Sequence, residues 1–255
     1  MSVDNSTTRF SSRVDDYVKY RPPYPPEILD LLAAKCALTP ESVIADIGSG
    51  TGMLAKLFLD NGNAVIGVEP NAEMRAAGEK YLAEYGRFTS MDGSAEATRL
   101  PVHAMDFVVA GQAFHWFDRD RTRKEFLRLL KPDGVLALIW NDRRLDSTPF
   151  MRDYEALLRE YGSDYRDIDH KKFQQREILA PFFGGEFFEA SFDNNRSLDL
   201  DGLMGRLHSA SYMPARDHPD GAQMTARASE IFAAHAVGGK VSFEYDTRIY
   251  YGLMA

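Results

Sequence analysis

Strand-length apolar runs that alternate with helical stretches predict an α/β fold, a doubly wound, mostly parallel sheet with helices on both faces. Two stretches carry that reading. Val43-Ile44-Ala45-Asp46-Ile47-Gly48-Ser49-Gly50-Thr51-Gly52 is an apolar run with one acidic residue, feeding a glycine-rich turn and then an apolar helical pattern of Met53, Leu54, Leu57 and Phe58. Val135 to Trp140 is nearly all apolar, as strands buried on both faces are. The chain has 255 residues, 44% of them hydrophobic, enough for a single domain over 1–255 with a sizeable insertion.

Bulk properties narrow the function classes. A net charge of −8 argues against extended nucleic-acid or anionic-membrane surfaces, which need a basic excess, though not against a local basic pocket. The single cysteine, Cys36, rules out an intrachain disulfide and a cysteine metal cluster and fits a reducing compartment. Met1 to Thr8 is polar and lacks the apolar core of a signal peptide. No apolar run approaches the ~20 residues that cross a bilayer. A cytoplasmic protein without a metal site is the expectation.

Residues 1–12 are rich in Ser, Thr and Asn. From Val14 to Pro26 four prolines end any helix near Tyr20 and force an extended segment. Pro26 suits the first turn of a helix striped by Ile28, Leu29, Leu31 and Leu32. The first strand and the glycine turn follow. Their spacing is G-x-G-x-G, because Met53 stands where a dinucleotide site places its last glycine or alanine. Gly48 and Gly50 permit positive φ and close approach, so the turn is expected to bring backbone N–H groups against a ligand. A second run, Ala64 to Val68, ends in Glu69, placed to accept hydrogen bonds from two ribose hydroxyls.

Pro70-Asn71 opens a helix to about Glu84, and Arg87 to Met91 reads as the third strand. Gly93-Ser94-Ala95-Glu96 leads to Leu100-Pro101, and Met105 to Ala110 is the fourth strand. It delivers Gly111-Gln112-Ala113-Phe114-His115-Trp116-Phe117 to the carboxyl edge of the sheet, where ligands of open α/β sheets bind. His115 and Trp116 are either site residues there or part of a buried aromatic cluster. A helix from Arg119 to Leu130 and the turn Leu130-Lys131-Pro132-Asp133-Gly134 precede the fifth strand, which ends at Asn141, Asp142, Arg143 and Arg144. Those arginines read as solvated loop charges or as a clamp for an anionic substrate. Residues 145–185 are amphipathic, with Tyr154, Leu157, Leu158 and Tyr161 in register, and read as an inserted substrate cap. A strand over Phe187–Phe192, helices over Leu200–Ser209 and 221–236, and an alternating strand over Val241–Tyr250 close the chain.

The motif Asp46-Ile47-Gly48-Ser49-Gly50-Thr51-Gly52 with Glu69 resembles the class I S-adenosylmethionine-dependent methyltransferases, whose first motif reads (D/E)-x-G-x-G-x-G and whose second strand ends in an acidic residue. The string Tyr17-x-x-Tyr20-Arg21-Pro22-x-Tyr24-Pro25 and the Ala113–Phe117 wording are similar to the subgroup that includes the trans-aconitate type. The resemblance is strong over about residues 14–140. It implies a Rossmann-like seven-stranded sheet with the last strand antiparallel, a helical cap between strands five and six, and S-adenosylmethionine as cofactor. Gly48, Ser49, Gly50 and Gly52 would approach its methionine portion, and Glu69, beside Pro70, its ribose. Asp46 would orient the turn or meet the ammonium through water. By the same resemblance residues 1–25 form a lid, with Tyr17, Tyr20 and Arg21 closing over the cofactor and Arg21 meeting the methionine carboxylate.

Gly93–Pro101 resembles the family's Gly-Asp-Ala-Glu-x-x-x-Leu-Pro, which holds the adenine. Ser94 replaces its acidic residue, leaving Ala95, Glu96 or the neighbouring Asp92 to share that task with the weaker hydroxyl acceptor. Gln112 completes the cofactor set. Asp133 replaces a glycine of the family's Leu-Lys-Pro-Gly-Gly. Ser209–Pro214 is again like the subgroup, with Tyr212 a pocket residue or a packed tyrosine. The acceptor would be a small molecule, most readily an anionic carboxylate methylated on oxygen, with His115, Trp116, Arg143 and Arg144 at the reacting end. A phenol or amine acceptor would make His115 the base. A nicotinamide-dependent dehydrogenase, a nucleic-acid methyltransferase and a non-enzymatic cofactor-binding module are the rival readings.

Overall fold

A computed structural model describes residues 20–163, 170–210, 212–214 and 218–255. In chain order its elements are α1 (Glu27–Cys36), β1 (Val43–Ile47), α2 (Met53–Asp60), β2 (Ala64–Val68), α3 (Ala72–Tyr81), β3 (Phe88–Met91), β4 (Met105–Gly111), α4 (Arg119–Leu129), β5 (Leu130–Arg143), α5 (Pro149–Tyr161), α6 (Arg176–Phe183), β6 (Phe188–Asp193), β7 (Arg196–Leu198), α7 (Leu200–His208), α8 (Gly221–His235), β8 (Val241–Phe243) and β9 (Tyr245–Leu253). Side-chain caps set several helix starts. Asn71 accepts from the Glu73 and Met74 N–H groups at the head of α3, and Asp118 accepts from Arg121 N–H at the head of α4.

Seven strands form one sheet in the order β3-β2-β1-β4-β5-β9-β6. β1 to β5 pair in parallel, and β9 runs against both β5 and β6. This is the expected Rossmann-like sheet with its last strand antiparallel. Side chains alternate between its faces, which explains the continuous apolar run of β5. Leu136, Leu138 and Trp140 join Phe126, Leu129, Leu179 and Phe182 of α4 and α6 on one face. Val135, Ala137 and Ile139 join Ile28, Leu32, Leu54 and Phe58 of α1 and α2 on the other.

Three boundaries differ from the expectation. The expected turn Leu130–Gly134 lies within the span of β5, because Leu130 pairs with Met105 and Val135 with Phe107, so that three extra residues of β5 fold out between the two pairings. The strand expected over Val241–Tyr250 divides at Glu244. β8 pairs with β7 in a separate two-stranded sheet, while β9 enters the main sheet. The residues expected to form the cap also divide. α5 packs with α7, α8 and β8 in a third apolar cluster around Phe150, Tyr154, Leu203, Leu207, Met224 and Phe243, whereas α6 returns to the main sheet. The helical layer beside the sheet is therefore assembled from two excursions of the chain, one after β5 and one after β6. No helix among the described residues is long and apolar enough to cross a membrane.

Candidate functional site

β1 ends in Asp46 and Ile47, and the turn that follows holds Gly48, Gly50 and Gly52 at φ of 71°, 56° and 80°. Gly48 is the position where a side chain is excluded twice over. Its backbone is left-handed, and a Cβ there would stand 2.7 Å from Cβ of Ala113 on the loop after β4. Four of the five N–H groups of this turn are engaged within the protein, and Thr51 N–H is the exception among the described residues. Gly48 and Ser49 N–H donate to Val68 O at 2.8 and 3.1 Å, Gly52 N–H donates to Ser49 O at 2.9 Å, and Gly50 N–H donates to Glu69 Oε2 at 2.9 Å. What remains for a ligand is Thr51 N–H and close approach along the glycine Cα atoms.

Glu69 accepts from Asn71 N–H through its other oxygen, at 2.9 Å. Burial pushes its carboxyl above the ordinary range, opposed by the two backbone N–H groups and the charge of Arg75. Each oxygen keeps a lone pair beyond the one used, so the carboxylate is fixed in place with acceptor capacity to spare.

A cavity of about 70 Å³ opens against this turn, lined on the turn side by Asp46, Gly48, Ser49, Gly50 and Thr51 and across from them by Arg21, Tyr24, Gln112, Asn141, Arg206 and Tyr245. Asp46 is only 1% exposed, and neither of its oxygens has a hydrogen-bond partner among the described residues. Burial raises its pKa to about 7. The nearby Ala55 N–H at the start of α2 lowers it without reaching hydrogen-bond geometry, and the charge of Glu69 adds to the rise. Thr51 Oγ1, on the same turn, is likewise buried without a partner. Two orphaned polar groups beside one cavity are what a ligand supplying an ammonium and hydrogen-bond groups would satisfy. The residues present therefore fit S-adenosylmethionine.

The segment over residues 20–25 closes one side of this cavity. Tyr20 lies on Gly205 of α7, where any Cβ would collide with its ring, and donates to Asp201 at 3.1 Å. Arg21 reaches Ser209 O at 3.5 Å. Pro22 O and Pro23 O accept from Asn141 and Asn194 side chains at 3.2 and 2.7 Å, and Tyr24 packs against Gly111. Tyr17 and the earlier part of the expected lid lie outside the described residues.

The structure separates the remaining candidates. Gln112, at φ 57°, lines the cavity and donates to Asn141 O at 3.0 Å. Ser94 is half-buried in a bridge with Ala97, and Ala95 is buried in the core. Glu96 is engaged elsewhere, accepting from Asp118 N–H at 2.9 Å at the head of α4. Pro70 is exposed, and Asp92 pairs with Arg75 at 3.1 Å.

His115 and Trp116 sit on a short 3₁₀ turn, with their rings 4.9 Å apart and His115 6.1 Å from Phe173, and neither lines the cavity. Arg143 is buried in an ion pair with Glu155 and lies 5.5 Å over Tyr154. Arg144 is surrounded by Asp193, Asp246 and Glu244. Both arginines border a second, larger cavity of about 590 Å³ with Asp142, Arg152 and Arg248. Tyr212 is packed against the third cluster. The arginine facing the first cavity from α7 is Arg206, which sequence reasoning missed, because nothing in its helical pattern marks it apart from a surface arginine.

Comparison with known proteins decides the family. A methyltransferase-domain model matches residues 45–138. The structure of a candidate type II methyltransferase from Anaeromyxobacter dehalogenans superposes with a TM-score of 0.71, at 21% identity, over 92% of this chain and 100% of that one. An uncharacterized methyltransferase of Schizosaccharomyces pombe is 31% identical over 216 residues, 82% of either chain. The chain belongs to the class I methyltransferases. The fold of this methyltransferase is shared more distantly by one from Haemonchus contortus, solved in complex with phosphomonomethylethanolamine and S-adenosylhomocysteine, at a TM-score of 0.55 and 14% identity over 99% of this chain and 59% of that one. The cofactor of the class is S-adenosylmethionine. The trans-aconitate subgroup remains a resemblance carried by residues 17–25 and 113–117.

Proposed function

We propose that this methyltransferase moves the methyl group of S-adenosylmethionine to a carboxylate oxygen of a small acceptor. The observation that carries the cofactor half is Asp46, a carboxylate buried beside the glycine turn with no partner of its own. It is poised for the ammonium of the methionine portion, while Glu69 serves the ribose and residues 20–25 cover the site as the described part of a lid. The sulfonium supplies the reactivity, its leaving group departing as a neutral thioether. The chain's own task is then alignment and exclusion of water.

The acceptor half rests on the cavity lining, which includes two arginines and, among the described residues, no histidine. A carboxylate is ionised near neutral pH and needs no base. His115 would act from outside the cavity as a packing and orienting group, and Trp116 as a wall of the same aromatic turn. The test is twofold. Calorimetry should detect S-adenosylhomocysteine and find no binding of nicotinamide cofactors. A screen of carboxylic acids, phenols and amines, read as released S-adenosylhomocysteine, should turn over the acids. Turnover confined to amines or phenols would retire the carboxylate reading while keeping the methyltransferase.

A further inference from the structure

Arg206 stands on α7, 6% exposed, with its guanidinium 5.9 Å over the ring of Phe243 and its side chain lining the cavity beside the glycine turn. Its Nε donates to the Tyr245 hydroxyl at 2.8 Å. No carboxylate among the described residues pairs with it, although other arginines of the chain have one. Arg143 pairs with Glu155, Arg144 with Asp246, and Arg128 with Glu125. A buried guanidinium without a counter-charge is costly to maintain, so an anion is expected to complete it. Tyr245 takes the Nε side, which leaves the Nη1/Nη2 end of the fork for a planar oxyanion.

Charge counting says whose anion it is. The cofactor brings one carboxylate, and two arginines, Arg21 and Arg206, line the cavity. Arg21 belongs to the segment that covers the turn, and under the cofactor reading it serves the methionine end. Arg206 comes from the helical layer built by the second excursion of the chain, with Tyr245 behind it. We infer that Arg206 is the residue that holds the anionic group of the methyl acceptor, with Tyr245 fixing the orientation of its guanidinium. The inference rests on the methyltransferase reading and deepens it by assigning the residue that selects the acceptor class.

The test uses full-length protein saturated with S-adenosylhomocysteine and probes in isosteric pairs, glutarate with glutaramide and benzoate with benzamide. Binding is read by calorimetry and thermal shift. The wild type should bind at least one carboxylate and not its amide. Arg206→Met should weaken that carboxylate roughly 10- to 100-fold, the scale of a lost hydrogen bond to a charged group, while S-adenosylhomocysteine affinity stays within about twofold of wild type. Arg206→Lys, which keeps the charge but not the fork, should fall between the two. Tyr245→Phe should weaken the carboxylate severalfold and leave the cofactor untouched, and it serves if Arg206→Met fails to fold.

Equal binding of carboxylates and amides, or no carboxylate binding at all, overturns the assignment. So does a tenfold loss of S-adenosylhomocysteine affinity in Arg206→Met with carboxylate binding unchanged, since Arg206 would then hold the cofactor's own carboxylate. Failure of the wild type to bind S-adenosylhomocysteine overturns the cofactor reading instead, and is seen before any acceptor probe is added.

Discussion

Replacing Asp46 by Asn should stabilise the protein at alkaline pH while impairing cofactor binding. The carboxyl titrates near 7 in the folded chain and near 3.8 ordinarily, because it is buried without a hydrogen-bond partner. A folded pKa raised in this way means that the folded state holds its proton longer than the unfolded one. Stability from this group is present at low pH and is lost as pH rises from about 4 through 7. A displacement of about three pKa units corresponds to about 4 kcal/mol.

Asp46→Asn cannot ionise, so the stability difference between variant and wild type should widen by about 3 kcal/mol between pH 4.5 and 8. Urea unfolding at half-unit pH steps reads this directly, and taking the difference cancels every other titrating group. The cofactor's ammonium would return the missing counter-charge. Binding of S-adenosylhomocysteine to wild type near pH 7 should therefore release a fraction of a proton, visible as a dependence of the calorimetric enthalpy on buffer ionisation. Asp46→Asn should show no such dependence. Parallel stability curves for the two proteins across the range, together with no proton release, would refute the argument from burial.

Four other substitutions probe the site and its surroundings. Glu69→Ala should weaken S-adenosylhomocysteine binding by about 1.5–3 kcal/mol by calorimetry, the scale for hydrogen bonds to a charged group. It should also lower stability, because Gly50 and Asn71 N–H lose their acceptor. Gly48→Ala should cost about 1–2 kcal/mol for the left-handed backbone, more for the contact with Ala113, and adding Ala113→Gly should recover the second part in urea unfolding. Arg143→Met should destabilise by about 1–3 kcal/mol, less than a fully orphaned buried charge would, because Glu155 keeps its pairing with Arg159, and in the protein that folds the acceptor KM should be unchanged. His115→Asn should retain substantial activity with no essential limb near the imidazole pKa in its pH–rate profile. A loss of about a hundredfold with cofactor affinity intact would indicate base catalysis and an acceptor that must be deprotonated.

Much of the fold was legible because it is written in short-range pattern. The alternation along Val135–Trp140 assigns each side chain to a sheet face before any partner is known. The glycines after Asp46 demand a backbone that other residues reach at a cost, and Glu69 follows at the end of the next apolar run. These depend on local φ/ψ and on a period of two. Boundaries that depended on a partner strand were not legible. That the turn Leu130–Gly134 is flanked on both sides by pairing to β4 shows only once Met105 and Phe107 are beside it, and Glu244 looks like mid-strand until the chain changes sheets there.

The sequence by itself determined the turn, the acidic residue that braces it and the α/β class, because each is a property of a few consecutive residues. Only the tertiary structure decided which charges face the cavity. Arg143 and Arg144 sit at the carboxyl edge of the sheet as expected, yet their charge is taken up by Glu155, Asp193, Glu244 and Asp246, brought to them by later elements. Arg206 lies far along the chain from Asp46, and packing alone brings its guanidinium to the same cavity, paired with no carboxylate among the described residues. An ion pair depends on which elements end up adjacent, and residue spacing carries no record of that. The charges that line the cavity were therefore set by the packing of the helical layer against the sheet, whereas the glycine turn is spelled out in ten residues, Val43 to Gly52.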